Sequence, residues 1–338
     1  MIQYIEKLNC EHNDLVKEIW QGCFPVAFSQ TGQQIWIFDE EGTLFETTLG
    51  SENCRHIVER VSPHCQYLQP QNTLSNSSLV MLGQWRDWIK CCSDTGEIIE
   101  KSFIEGLDDG EFTSCHYTEN GILAIVTYPS HKHARLVLII RNLHGFELKT
   151  VTSLEFGYKP YIPLALIPHS TLAVCPYGPN GNTLILIDYI KRTIIKSYQG
   201  HELWVECVCI IKDYDLLVTG AQDRTLRFWQ FSTAKLLQTI HIDAISDILW
   251  IPKYDSVIAL SSGSMGIAFL AWNIASGGIP KLTECTQQDI HYPNSCILTP
   301  DQNLLLSGTL PYWFLRGKDS TIKDTIYLWD VEMLTNKD

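Results

Sequence analysis

The chain has 338 residues, of which 45% are apolar and 19% are charged. This composition is that of a folded globular protein and excludes an intrinsically disordered one. It contains 25 Lys and Arg against 38 Asp and Glu, which gives a formal net charge of −13. Affinity for phosphate backbones and anionic membranes comes from clustered Lys and Arg, so this acidic balance argues against direct binding to nucleic acid or to a membrane.

The N-terminal residues lack the basic and apolar regions of a secretory signal. The longest aliphatic run, residues 136–140, is far shorter than the roughly 18 residues of a membrane-spanning helix. The 12 cysteines form no C-x-x-C pair, and many lie in apolar segments, where a free thiol packs as a small hydrophobe. We therefore expect a soluble chain without metal or cofactor, located in the cytoplasm, with the nucleus as the other reducing compartment.

Apolar residues occur along the whole chain in short runs rich in Val, Ile, Leu and aromatic residues, bounded by Gly, Pro, Asn and Asp. This pattern predicts many short strands at regular spacing, and hence an all-β sandwich, barrel or propeller. Residues 51–61 are a candidate for a helical turn. Otherwise the sequence contains almost no helical periodicity.

One arrangement of residues recurs in the second half of the chain. Residues 216–229 read LLVTGAQDRTLRFW, an apolar strand ending in Thr-Gly, a tight turn containing Asp and a strand ending in Trp, with Gly200-His201 upstream. The segments NLLLSG at 303–308 and TIYLWD at 325–330 repeat this plan around an insertion, and residues 256–272 repeat it again. These residues resemble the WD-repeat family, whose GH and WD signatures recur about every 40–45 residues in four-stranded propeller blades.

The resemblance implies an all-β, seven-bladed β-propeller with four-stranded antiparallel blades, formed as a single domain over residues 1–338. The rhythm of the strands assigns the first blade to residues 14–21, 24–29, 34–39 and 43–49. The later blades are expected at about 55–104 (with strands 79–83, 88–93 and 98–103), 111–154, 160–199 (with 183–188 as its third strand), 203–241, 245–286, and from Tyr292 onward.

The seventh blade lacks an outer strand, because the chain ends soon after Trp329-Asp330. Residues 2–8 form an unassigned strand ahead of the first blade, and we expect them to supply the missing one. Such pairing would close the ring with backbone hydrogen bonds and would remove an exposed edge.

By resemblance to WD-repeat blades, the fifth blade carries a buried structural tetrad, His201, Thr219, Asp223 and Trp229. The indole is expected to donate to the hydroxyl, the hydroxyl to the imidazole, and the imidazole to the carboxylate. A catalytic triad is the alternative interpretation. The structural one is favoured because Thr219 lies within a strand and no G-x-S-x-G turn surrounds it.

WD-repeat proteins commonly bind partners on the face built from the loops between blades and between the second and third strands. Carrying these positions over gives the candidates Trp204, Glu206 and Gln222 in the fifth blade, and Tyr292 and Asn294 in the seventh. Aromatic residues are favoured at interface hot spots. The alternative for Trp204 and Tyr292 is that they only cap the packing of their blades.

A second candidate surface is the insertion in the seventh blade, residues 309–324. It contains the consecutive aromatic residues Tyr312, Trp313 and Phe314. An exposed apolar patch of this kind calls for a partner, and a loop longer than its connection requires is often functional. The alternative is that these aromatic side chains fold back onto their own blade.

These features favour a non-enzymatic scaffold or adaptor that binds other proteins or peptides, including partners with a basic segment. We expect a monomer or a subunit of a hetero-complex. The alternative function is a non-catalytic accessory subunit of an RNA- or protein-modifying enzyme, such as a tRNA methyltransferase. An enzyme with carboxylates clustered in the central channel is disfavoured, because the inner-strand positions contain no such cluster.

Overall fold

The computed structural model describes residues 3–8, 16–21, 23–28, 34–39, 43–48, 55–58, 65–73, 76–83, 87–92, 97–128, 130, 133–142, 145–156, 162–242, 245–263, 266–275, 281–285, 293–299, 301–309 and 325–336. Within them, strands form seven sheets, six with four strands and one with five. All the strand pairings that are described are antiparallel. The prediction of an all-β chain is confirmed.

The strands follow one another along the chain in groups of four. The chain opens with β1 (Gln3–Leu8) and β2 (Val16–Gln21). Sheet 1 consists of β3 (Cys23–Phe28), β4 (Gln34–Asp39), β5 (Leu44–Thr48) and β6 (Arg55–Val58). Sheet 2 consists of β7 (Cys65–Thr73), β8 (Asn76–Gly83), β9 (Asp87–Cys92) and β10 (Ile98–Phe103). Sheet 3 consists of β11 (Glu111–Thr118), β12 (Gly121–Tyr128), β13 (His133–Asn142) and β14 (Gly145–Ser153).

The second half of the chain continues in the same way. Sheet 4 consists of β15 (Ala165–Leu166), β16 (Leu172–Tyr177), β17 (Thr183–Asp188) and β18 (Thr193–Tyr198). Sheet 5 consists of β19 (Val205–Ile211), β20 (Leu216–Ala221), β21 (Thr225–Gln230) and β22 (Leu236–His241). Sheet 6 consists of β23 (Ile245–Ile251), β24 (Ser256–Gly263), β25 (Gly266–Asn273) and β26 (Lys281–Cys285). Sheet 7 contains β27 (Pro293–Leu298), β28 (Leu304–Thr309) and β29 (Thr325–Asp330), followed by the short helix α1 (Val331–Asn336).

The chain packs into two compact units, which are described separately. The first comprises Met1–Val80, Ile89–Glu100 and Leu249–Asp338, and the second comprises Met81–Trp88 and Lys101–Ile248. The core of the first unit includes Ile258, Leu260, Trp329 and Val331, all buried. The core of the second unit lies in sheets 3, 4 and 5, where the middle strands are buried.

Burial in the second unit follows the order of the strands in a sheet. All six residues of β20 are buried, whereas β22, the last strand of the same sheet, is almost entirely exposed. A strand covered on both faces favours continuous apolar residues, and LLVTGA satisfies this requirement. The outer strand LLQTIH instead leaves Leu236 and Leu237 exposed.

One turn is used twice between the first and second strands of a sheet. Single 3-10 turns at Lys212–Tyr214 and Pro252–Tyr254 end at Asp215 and Asp255, whose φ angles are 53° and 46°. Asp tolerates this left-handed conformation better than most residues because its short side chain bonds locally. The carbonyl of Asp215 then accepts from the amide of Phe231 at 2.7 Å. The turn therefore ties the end of the third strand to the start of the second.

The structure differs from the prediction at the N-terminus. The strand paired with β29 is β2, with Val16 opposite Trp329 and Gln21 opposite Thr325. Residues 2–8 were predicted to occupy that place, but their described part, Gln3–Leu8, forms β1, which pairs with β2 as a fifth, outermost strand. An alternating pattern identifies a strand but does not say which strand lies beside it, so the sequence assigned residues 14–21 to the first blade.

This shift moves each strand of the first blade by one place. Sheet 1 begins at Cys23, not at residue 14, and its outermost strand is Arg55–Val58, within the segment considered for a helical turn and for the second blade. From residue 111 to residue 285 the strands lie within the predicted ranges, and Thr183–Asp188 is the third strand of sheet 4. The number of sheets equals the number of predicted blades, whereas their arrangement as a closed ring and a single domain stays a prediction.

Candidate functional site

The candidate site lies where sheet 5 begins and where β20 turns into β21. The turn between these strands is Gln222-Asp223-Arg224, and Arg224 adopts a left-handed φ of 58°. Asp223 fixes this turn, because its Oδ1 accepts from the amide of Thr225 at 3.0 Å and from the Thr225 hydroxyl at 2.6 Å. The turn therefore presents the carboxylate of Asp223 toward the segment that leads into β19.

The structure brings the four residues of the predicted tetrad together. Nε1 of Trp229 donates to Oγ1 of Thr219 at 2.9 Å, and this oxygen lies 2.8 Å from Nε2 of His201. Nδ1 of His201 lies 2.9 Å from Oδ2 of Asp223. A carboxylate only accepts, so Nδ1 carries the proton, and Nε2 accepts from the Thr219 hydroxyl.

Two further residues belong to this network and were not identified from the sequence. Nε of Arg227 donates to Oγ1 of Thr225 at 3.1 Å, and its Nη2 lies 3.7 Å from Oδ2 of Asp223. Thr225, Arg227 and Trp229 alternate along β21, which places them on one face of the strand. That spacing of two was the signal that would have found them.

The network fixes the protonation of its members. Burial lowers the pKa of His201, outweighing the raising effect of Asp223. Burial raises the pKa of Asp223. Hydrogen bonds from Thr225, the amide of Glu202 and His201 lower it by a larger amount, so the pKa lies below its usual value. The folded protein therefore holds a neutral imidazole against an ionised carboxylate.

The geometry of the tetrad fits a structural role and not a catalytic one. Thr219 is completely buried and Trp229 is 1% exposed, so a substrate has no access to the hydroxyl. Gly200, with a φ of 158°, leaves room for the network, since a Cβ there would lie 2.5 Å from Nη1 of Arg227. Each buried polar side-chain atom of the tetrad has a partner, which avoids a cost of roughly 1–3 kcal/mol for each unsatisfied group.

Trp204 lies beneath the surface of the site. It is 5% exposed and makes an edge contact with Phe156, with ring centroids 4.8 Å apart. Its carbonyl accepts from the amide of Gln222 at 2.9 Å. The indole of Trp204 thus faces the core and not solvent. This is the alternative named in the sequence analysis, in which Trp204 caps the packing of its blade.

The exposed part of the site consists of Leu203, Glu206 and Gln222, which we call the turn surface. Nε2 of Gln222 donates to Oε1 of Glu206 at 2.8 Å across the start of β19. Leu203, three residues before Glu206 in the chain, is 51% exposed, and it was not among the residues predicted from the sequence. The turn surface therefore combines a carboxylate, an amide and an apolar side chain on a buried frame.

The other predicted contact residues lie mostly outside the described part of the chain. Tyr292, Tyr312, Trp313 and Phe314 all lie outside it. Asn294 belongs to β27, but its side chain is outside the description. They stay predictions.

Sheet 7 repeats the register of the tetrad. In sheet 5, Thr219 lies two residues beyond Leu217, the partner of Trp229 across the ladder. In sheet 7, Ser307 lies two residues beyond Leu305, the partner of Trp329. A hydroxyl-bearing residue and a Trp therefore occupy equivalent backbone places in these two sheets.

Two other sheets have apolar or thiol groups in the hydroxyl place. Ala259 occupies it in sheet 6 and Cys175 in sheet 4, as the matching registers show. Burial raises the pKa of the Cys175 thiol to about 12, so this cysteine packs as a neutral, small hydrophobe.

Among the described residues, no group of three or more His, Cys, Asp or Glu side chains is arranged to hold a metal ion. Within the same residues, no helix has the length and apolarity to cross a membrane. Six cysteines whose side chains the structure describes are not disulfide-bonded: Cys92, Cys115, Cys175, Cys207, Cys209 and Cys296.

The segment around the tetrad matches a known family. The model described as "WD domain, G-beta repeat" matches residues 192–230, which include all four tetrad positions. The resemblance to the WD-repeat family is confirmed. The matched WD repeat runs from the end of sheet 4 to the Trp that ends β21.

The chain is similar, over part of its length, to several known proteins. Mitochondrial division protein 1 of Saccharomyces cerevisiae (strain YJM789) is 31% identical over 157 residues, 41% of this chain and 21% of that protein. Ribosome biogenesis protein BOP1 homolog of Aedes aegypti is 37% identical over 139 residues, 36% of this chain and 16% of that protein. THO complex subunit 3 of Arabidopsis thaliana is 31% identical over 99 residues, 28% of this chain and 29% of that protein. The matches thus span less than a third of each relative's length.

A solved structure is similar over a longer stretch. A chain in the crystal structure of the Mitotic Checkpoint Complex superposes with a TM-score of 0.66 at 12% sequence identity, covering 98% of this chain and 93% of that chain. At this identity the likeness shows the fold alone, and it agrees with the all-β arrangement of antiparallel sheets.

Proposed function

We propose that the chain is a non-enzymatic interaction scaffold of the WD-repeat type, which binds a protein partner at the turn surface of Leu203, Glu206 and Gln222. The family match supports a scaffold role. THO complex subunit 3 and the chain of the Mitotic Checkpoint Complex are named as parts of protein assemblies, and a comparable role in a complex is proposed for this chain.

The observation that carries this proposal is the Glu206–Gln222 pair. Its two side chains are joined at 2.8 Å on the surface, while the backbone beneath is fixed by the buried tetrad and by the bond from the Gln222 amide to the Trp204 carbonyl. A contact surface held in place before binding loses little conformational freedom when a partner arrives. The pair therefore forms a fixed polar docking point.

The chemistry of the turn surface favours a partner with a basic group beside an apolar one. Glu206 offers a carboxylate to Lys or Arg, and Leu203, half exposed, offers an apolar contact. A net charge of −13 attracts basic segments over a distance and raises their association rate. We expect this steering to weaken as salt concentration rises.

The same proposal includes the arrangement of the sheets. The seven sheets would form the blades of one closed propeller, with β2 as the outer strand of the seventh and β1 outside it. The ladder between β2 and β29 supports this closure, as does the likeness to the solved chain over 98% of the length. The insertion at 309–324, with Tyr312 to Phe314, and the pair Tyr292 and Asn294 are proposed as additional contact segments.

The test is affinity purification with mass spectrometry on the full chain. The double variant Glu206→Lys, Gln222→Ala removes the docking point, and Asp213→Lys, Gln238→Ala is its matched control, because both residues of the control are exposed on sheet 5 and the charge change is equal. We expect one or more stable partners to be lost with the first variant and kept with the second.

Retention of every partner by the first variant, with an unchanged melting temperature, would contradict the assignment. A methyltransferase subunit recovered in equal amount with the wild-type chain would instead support the accessory-subunit alternative.

A further inference from the structure

A cleft lies between sheets 3 and 4 in the second unit, away from the turn surface. Its volume is about 340 Å³. Leu138 and Ile140 of β13 form one wall, and Tyr189 and Ile190, in the turn after β17, form the other. Ile190 is 43% exposed, so the apolar wall reaches the surface.

The cleft lies at the opposite end of sheet 4 from the turn surface. The turn between β16 and β17 lies beneath the turn surface, as Gly181 accepts from the Val205 amide at 3.1 Å. The cleft is at the other end of β17, where the chain turns into β18. The two sites are thus separate, and binding at one does not require the other.

Two positively charged side chains line this cleft, although the chain as a whole is acidic. Its charged lining residues are Lys149 and Arg192. Lys149 pairs with Glu147 at 3.2 Å, but both side chains are well exposed, and an exposed pair of this kind is worth little and exchanges readily. Across the described residues, the Arg192 guanidinium has no hydrogen-bond or ion-pair partner. The charges at the mouth are thus complementary to an anion.

The size of the cleft limits what fits inside. Ligand sites occupy about 300–1,000 Å³, and this cleft is at the lower end of that range. It has room for one large apolar side chain against Leu138 and Ile140, with carboxylates remaining outside at Lys149 and Arg192. An extended peptide that carries both groups satisfies the apolar walls and the cationic rim together.

We propose that the cleft between sheets 3 and 4 binds an acidic peptide segment, which inserts one apolar side chain between Ile140 and Ile190 and pairs its carboxylates with Lys149 and Arg192. This partner chemistry is the reverse of that expected at the turn surface. The chain would therefore join a basic partner at one end of its sheets to an acidic one at the other.

The probe is the fluorescent peptide Glu-Glu-Phe-Glu-Glu, titrated against the full chain by fluorescence anisotropy. The variant Arg192→Asp reverses the charge and keeps a residue type that this chain already holds at positive φ, at Asp215 and Asp255. We expect it to weaken binding about tenfold, since it removes a charge-assisted contact and adds repulsion. Its matched control is Arg224→Asp, because Arg224 has the same φ of 58° and lies in the turn between β20 and β21, outside the lining of the cleft.

The apolar part of the proposal has its own controls. Ile190→Ser should weaken binding at least threefold, from the lost apolar area. Ile194→Ser should leave it unchanged, because Ile194 is similarly exposed on β18 but does not line the cleft. The peptide Glu-Glu-Gly-Glu-Glu should bind at least tenfold more weakly than the probe.

Three results would overturn the proposal. The first is absence of saturable binding by the probe. The second is equal binding by the Arg192→Asp and Arg224→Asp variants, or by the peptides with and without Phe. The third is displacement of the probe by a single-stranded RNA whose own binding depends on Arg192, which would make the rim a nucleic-acid site. The variants of the cleft, at Arg192 and Ile190, do not alter Glu206 or Gln222, so failure here leaves the proposed function standing.

Discussion

The indole of Trp204 lies directly against the backbone of Gly181, and a Cβ at residue 181 would come within 1.9 Å of Cζ3 of the ring. The φ of Gly181 is 56°, so the position also requires a left-handed backbone. Through this contact the turn of sheet 4 supports the segment that carries Glu206, and the Trp204 carbonyl in turn accepts from the amide of Gln222. The absence of a side chain at Gly181, in the turn of sheet 4, is therefore required for the packing beneath the turn surface of sheet 5.

Replacing Gly181 should disturb this packing strongly. We expect Gly181→Ala to lower the free energy of unfolding by about 3 kcal/mol, because it combines overpacking against the indole with backbone strain. Gly178→Ala is the control, since Gly178 has a φ of 83° but no atom within 4 Å of a Cβ. Backbone strain alone should make Gly178→Ala lower the free energy of unfolding by about 1 kcal/mol. Equal effects of the two in urea titrations would contradict the contact.

The hydroxyl of Thr219 should contribute more to the free energy of unfolding than the hydroxyl of another buried threonine, Thr127. Thr219→Val keeps the shape but leaves Nε1 of Trp229 and Nε2 of His201 without partners, at about 2–4 kcal/mol. In the control Thr127→Val, the hydroxyl that is lost makes only a 3.4 Å contact with the Glu111 carbonyl, so less than about 1 kcal/mol is expected. A thermal or urea unfolding series measures the difference, and similar losses would show that the tetrad is not a coupled network.

Two histidines with lowered pKa values, His201 and His116, should make stability depend on pH. Burial lowers the pKa of His201 against the raising effect of Asp223, and lowers that of His116 against its hydrogen bond to the Leu164 carbonyl. Both are neutral when folded, whereas the unfolded chain takes up protons near pH 6.5. The free energy of unfolding should therefore fall as the pH drops below about 6.5, until the folded-state pKa values are passed.

Urea titrations at about pH 7.5 and about pH 5 measure this fall. The variants His201→Gln and His116→Gln should each show a smaller loss between the two pH values than the wild-type chain. An unchanged pH dependence in both variants would assign the effect to other groups.

The strand next to β29 should matter more than the strand outside it. Removing residues 1–22 deletes β1 and β2, so it exposes the edge of β29 beside the buried Trp329. We expect a fall in melting temperature of about 10 °C, as for the loss of several kcal/mol from a domain of this size. Removing residues 1–13 deletes only β1 and should lower it by a few degrees at most. If the shorter deletion is as harmful, residues 2–8 are the closing strand after all.

The sequence predicted sheet 5 well because its repeat residues have fixed relative places. Gly-His, Thr-Gly, Asp and Trp fall at the ends of strands, so a count along the chain places them in one network. The first 60 residues contain no Gly-His, and their Thr31-Gly32, Trp36 and Asp39 do not have the spacing of the repeat. Period-two alternation alone does not identify a neighbour strand. This is why Val16–Gln21 was assigned to the first blade although it pairs with β29.

The candidate site was predicted in part. Glu206 and Gln222 were located by their distances from His201 and Asp223, and the structure joins them. The burial of Trp204 was not predictable, because the sequence shows only an aromatic residue in a turn. The packing of Phe156 and Gly181 around it shows that the indole faces the core. Leu203 was missed because a single exposed apolar residue has no pattern in the sequence.

The most direct test of the turn surface as the partner site is hydrogen exchange on the purified chain with and without its bound partner. We predict slower exchange, on binding, in peptides that cover residues 200–206 and 221–225, with no change in β22. Protection confined to other segments, with these two unchanged, would contradict the assignment of the partner site to Leu203, Glu206 and Gln222.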